Sequence, residues 1–187
     1  VCSTFSSARR APITSSMPHK LRNSVHPWGF PYLVGRELML TTKANKMVKF
    51  SFKAIKVSIH SGGSGYLENP LTSILWVLVQ RAFKVELESG AARLVDCDLC
   101  MYGTRWRKPT RLLLWGPCSS SVHLKRCSAK CGLCDRTHRP HEQLSSPTSC
   151  QSCVARGQFR TAQAQVYPTR FVSTLLSQLV PSLSTPS

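Results

Sequence analysis

The stretch from Pro117 to Gln158 is rich in Cys, Ser, His and Arg and poor in large aliphatic residues, so it has too little apolar surface to close a core of its own. A segment like this orders only if something other than hydrophobic burial staples it. Its cysteines and histidines are spaced for such a staple. Cys97-x-x-Cys100 lies just before it, Cys127-x3-Cys131-x-x-Cys134 runs on to His138 and His141, and Cys150-x-x-Cys153 follows. Two thiolates separated by two residues reach one tetrahedral ion, and Cys131/Cys134 followed by His138/His141 has knuckle-like spacing, so the pattern predicts a zinc site drawn from these residues. The chain has nine cysteines, an odd number that excludes complete internal pairing. It also shows no basic stretch leading into an apolar leader, so a reduced, nuclear or cytoplasmic, non-secreted chain is expected.

Charge points to the class of partner. Lys and Arg number 25 against 8 Asp and Glu, a net +17, yet charged residues are only 18% of the chain, below the roughly 25% of ordinary domains. The chain is basic because acids are missing. An acid-poor surface favours polyanions through counterion release, which makes nucleic acid the expected partner, DNA ahead of RNA. The longest apolar run, Ile74–Val79, falls far short of the roughly 18 residues of a membrane span.

Periodicity places the ordered elements. Order is expected to begin near Gly35, after a Pro-, Ser- and Arg-punctuated start. From Leu38 to His60, Ala44, Met47, Val48, Phe52, Ile55 and Ile59 recur at helical spacing, with Lys46, Lys49, Lys53 and Lys56 on the opposite arc. That lysine arc reads either as a solvated face or as a stripe facing phosphates. Gly62, Gly63 and Gly65 stop the helix before a short strand ending at Glu68-Asn69-Pro70. Helical character returns over Leu71–Phe83, and strands are expected at Ala92–Cys97 and Arg111–Trp115. A last helix lies between Pro168 and Pro181.

Three motifs, in order, resemble those of cytosine-C5 DNA methyltransferases: Cys2-Ser3-Thr4-Phe5-Ser6, Glu68-Asn69-Pro70 and Tyr102-Gly103-Thr104-Arg105-Trp106-Arg107-Lys108. The run through His26-Pro27-Trp28-Gly29 and the terminal Tyr167-Pro168 with its helix extend the likeness to a divergent branch associated with protists and mobile elements. The resemblance implies an α/β fold with a partial Rossmann-like methyltransferase sheet. It also implies that Cys2 is the thiolate that adds to cytosine C6, that Glu68 is the carboxyl beside ring N3, and that Arg105, Arg107 and Lys108 hold phosphate or the flipped base. The sequence departs from the family at Val1, Arg105 and Trp106, where Pro, Pro and Gln are usual. No glycine-rich loop precedes Cys2, so S-adenosylmethionine binding is expected only of a full-length relative.

The same resemblance selects Cys100, Cys127, Cys134 and His141 as the zinc ligands. It divides the chain into a methyltransferase-like part (1–116), a Cys/His-rich segment (117–158), a helix packing back on the α/β part (159–180) and a tail (181–187). The expected function is a truncated, inactive methyltransferase-like domain that retains nucleic-acid affinity. The alternatives are a zinc-stapled, basic nucleic-acid-binding protein, or a decayed fragment without function.

Overall fold

The computed structural model describes residues 20–142 and 166–179. Mixed helix and strand is what it shows. The longest helix, α1 (Gly35–His60), buries Thr41, Ala44, Val48, Phe52 and Ile55 along one stripe, as spacings of three and four residues require. Strand β1 (Gly65–Pro70) follows, then helices α2 (Leu75–Ala82) and α3 (Lys84–Glu88). Strands β2 (Ala92–Asp98) and β3 (Pro109–Trp115) come next, and α4 (Thr169–Leu179) is the last described element. No helix among the described residues is long and apolar enough to cross a membrane.

The three strands form one antiparallel sheet in the order β1-β3-β2. The expected Rossmann-like sheet is parallel, and parallel strands need long crossovers. Here β2 instead turns back into β3 through a short 3-10 turn, Leu99–Tyr102, and the basic loop that follows. The backbone N–H of Leu99 donates to the Lys108 carbonyl across the mouth of this hairpin (3.2 Å).

The chain divides into two compact units, Val1–Leu94 with Leu112–Ser119, and Val95–Arg111 with Ser120–Ser187. The division therefore runs through β2 and β3, not between residues 116 and 117, and the hairpin tip belongs with the Cys-rich segment.

Apolar packing holds the first unit. Its core joins Val48, Phe52, Leu78, Val79, Phe83 and Leu113, with the Phe52 and Phe83 rings edge to face at 5.2 Å. Gly65 lets Trp115 lie directly on the β1 backbone: a Cβ there would come 2.5 Å from the indole, and the Trp115 Nε1–H donates to Ser58 Oγ on α1 (2.9 Å). Order begins earlier than Gly35. Leu21 and Arg22 are fully buried, and the Arg22 guanidinium donates to the Pro27 carbonyl (3.0 Å) and to Asn45 Oδ1 on α1 (2.9 Å). Burial lowers the Arg22 pKa to about 10. Loop punctuation hid this anchor because its partner lies 23 residues along the chain.

Candidate metal centre

The second unit is built around polar groups and sulfur. The backbone leaves β2 at Asp98, makes the 3-10 turn that carries Cys100, and later returns along an irregular segment carrying Cys127, Cys134 and His141. Cys127 is placed by Asp98, whose Oδ2 accepts its backbone N–H (2.9 Å). A single antiparallel bridge, Leu133 with Pro140, closes a tight knuckle, inside which Cys134 N–H donates to the Arg139 carbonyl (2.9 Å) and His138 N–H to the Cys134 carbonyl (2.8 Å). His141 follows the bridge directly.

These elements bring Cys100, Cys127, Cys134 and His141 together, with all four ligand atoms within 4.8 Å of one another. The three cysteines are buried and the histidine is half-buried. Cys127 Sγ lies 3.6 Å from His141 Nε2. A tetrahedral zinc with Zn–S of about 2.3 Å and Zn–N of about 2.0–2.1 Å would separate S and N by about 3.6 Å, so the gap fits the ion. Three thiols and an imidazole also form a donor set suited to zinc and unsuited to hard cations.

The surroundings treat the thiols unequally. Burial, together with the neighbouring Cys127 and Cys134, pushes the Cys100 pKa far above the ordinary thiol value. Burial also works against the Cys134 thiolate, but the N–H groups of Arg136 and Thr137 and the Thr137 hydroxyl outweigh it and draw its pKa down to about 6. Cys127 Sγ accepts the Asp135 N–H (3.5 Å), and Asp135 is fixed in turn by the Ser128 N–H and hydroxyl (2.6 and 2.7 Å).

The remaining expected site residues are dispersed. Cys97 is buried but outside the four-ligand cluster. Cys131 and His138 are exposed with φ of 55° and 54°. Cys2, Cys150 and Cys153 lie outside the described residues. Glu68 and Asn69 are buried on β1, 6% and 0% exposed. Arg107, expected to face phosphate or base, is turned inward: its Nε donates to Asp98 Oδ1 (3.0 Å) and its Nη2 to the Cys127 carbonyl (2.9 Å). Asp98, 0% exposed, needs a cation there. Lys108 lies over the Tyr167 ring, 5.1 Å from its centroid, while Arg105 remains 81% exposed and pairs with Glu142 at 3.5 Å.

On α1 the lysine arc is split. Lys46, Lys49 and Lys53 are exposed, with Lys49 over the Trp28 ring. Lys56 is drawn to Glu86 on α3 (3.5 Å) and sits over Phe83. Its partner comes from another helix, so periodicity could not reveal the pairing. Arg136, expected to face nucleic acid with the other cations of its segment, donates instead to the Cys100 carbonyl (2.6 Å). Asp98 was missed altogether. The usable signal was an acidic residue inside an apolar strand of an acid-poor chain.

No protein-family model matches the chain, and no curated protein or solved structure matches it either.

Proposed function

We propose that this chain is a zinc-stapled, basic nucleic-acid-binding domain. The observation that carries the proposal is the convergence of Cys100, Cys127, Cys134 and His141, three of them on an irregular segment poor in large aliphatic residues, in a unit that displays Arg105, Lys125, Lys130 and Arg139 on its surface. The metal is structural. Four protein ligands fill a tetrahedral shell and leave no open position for substrate. These exposed cations then provide a sequence-independent grip on phosphate.

Titrating a zinc-loaded sample with a duplex oligonucleotide at two salt concentrations tests the proposal. The logarithm of the association constant should fall steeply and linearly with that of the salt concentration. An affinity that does not change with salt would overturn the electrostatic account.

A second reading, the truncated methyltransferase-like domain, is supported by one observation. Glu68 and Asn69 of the Glu-Asn-Pro motif are buried on β1, and neither polar atom of the Asn69 side chain has a hydrogen-bond partner among the described residues. A buried amide left unpaired costs about 1–3 kcal/mol, a cost that a ligand or another segment of chain meeting it would remove. On this reading residues 1–187 transfer no methyl group to DNA, because transfer needs a methyl donor held against the target carbon and no donor-binding loop is identified among them. Incorporation of labelled methyl groups that disappears in Cys2→Ser would show the opposite.

A further inference from the structure

The loop Gly103–Lys108 touches the metal cluster at three places. Near its start, Arg136, which lies between the ligands Cys134 and His141, donates from Nε to the carbonyl of the ligand Cys100 (2.6 Å) and from Nη2 to the Thr104 carbonyl (3.3 Å). In its middle, the Arg105 carbonyl accepts the backbone N–H of Glu142, the residue after His141 (3.0 Å), and the two side chains pair as well. Near its end, Arg107 bonds the Cys127 carbonyl while Asp98 holds both Arg107 and the Cys127 N–H. Within the loop, the Thr104 hydroxyl donates to the Trp106 carbonyl (2.7 Å). Each pin reaches a metal ligand or a residue within two positions of one, and Arg136 and Glu142 lie on irregular backbone next to the ligands Cys134 and His141.

We infer that metal occupancy sets the shape of the Gly103–Lys108 loop and thereby governs how this basic loop meets nucleic acid, an inference that rests on the function proposed above. The ion fixes Cys127, Cys134 and His141 relative to Cys100. Arg107, Arg136 and Glu142 pass that constraint to the loop, which holds Gly103 at φ 116° and presents the Arg105 side chain outward. When the four ligands separate, the pins separate with them. The loop then loses the partners of its Thr104 and Arg105 carbonyls, although none of its own residues binds the metal. Arg107 and Arg136 are thus positioning residues, and their contribution to nucleic-acid affinity is made through the loop.

Hydrogen–deuterium exchange on the full chain, with zinc and after chelation, tests the inference. Zinc loading should slow exchange of the amides over 103–108 by about tenfold or more, as expected for a segment moved from local opening to a closed state, while amides in the middle of α1 change little. Zinc-loaded Arg136→Ala should bind one equivalent of metal yet exchange over 103–108 nearly as fast as the chelated chain, and it should bind duplex more weakly than the loaded parent.

One equivalent of zinc bound with loop exchange unchanged would overturn the inference and leave the zinc reading standing. Failure to take up zinc at all would overturn both. Loss of protection in α1 equal to that in the loop would also count against the inference unless loaded Arg136→Ala loosens the loop alone, in which case the coupling stands.

Discussion

The two units solve the same problem with different materials. In the first, α1, α2 and the Phe52–Phe83 pair remove apolar side chains from water, at roughly 25 cal/mol for each Å² buried. In the second, the groups packed around Cys127 are buried sulfur, a buried carboxylate and a half-buried guanidinium, each costly to take from water unless paired. The α4 face adds Phe171 and Leu175, with Phe171 against Tyr102 at 5.4 Å. What this contrast teaches is conditionality. An apolar core holds at any metal concentration, whereas on the proposed function the thiol cluster holds its segment through an ion.

Removing a ligand should break the comparison most sharply. Cys134→Ser should abolish zinc uptake and unfold the Cys-rich segment, because structural zinc carries about 10–16 kcal/mol of apparent binding free energy at neutral pH. Near-ultraviolet circular dichroism should lose the tertiary signal of the second unit while far-ultraviolet helix from α1 persists.

A deletion in the apolar core should act on the other unit. Phe83→Ala, at a site 0% exposed, should cost about 3–5 kcal/mol, read as a lower denaturation midpoint with zinc still bound.

Asp98→Asn should have a smaller effect, since the side chain keeps an acceptor for Cys127 N–H and loses the charge that holds Arg107. Zinc affinity should fall about 10- to 100-fold, the range typical of groups that orient ligands, with the first unit's denaturation unchanged.

Acidity should separate the units as well. The Cys134 pKa is drawn below the ordinary value of 9.0, to about 6. In the metal-free chain its thiolate therefore contributes stability that is present above the ordinary value and lost as pH falls through about 6. In the loaded chain protons compete with the metal for the same sulfur. Zinc should be released on acidification, at a pH below the metal-free value because the bound ion resists the proton, measured with a chromophoric chelator, while α1 stays helical.

What could be read from the sequence follows the same contrast. Helix α1 and the strands were legible because their order is local: apolar spacing, glycine stops and β-rich runs lie within a few residues of one another. The metal cluster was legible as a set of residue types at set spacings, and the structure brings the four selected side chains together. Spacing alone could not separate Cys131 from Cys134. The difference is backbone conformation, with Cys131 in the left-handed region and exposed, and Cys134 inside the bridged knuckle. The inward turn of Arg107 and the capture of Lys56 by Glu86 were hidden because each depends on a partner distant in sequence or on another element. A basic residue in a sequence reads as a phosphate ligand until its carboxylate is found.

Metal content tests the central claim most directly. Purified chain dialysed against zinc and then freed of unbound metal should retain about one equivalent of zinc, and the triple variant Cys100→Ser, Cys127→Ser, Cys134→Ser should retain none. Wild-type chain free of zinc, or a triple variant that keeps it, would contradict the account.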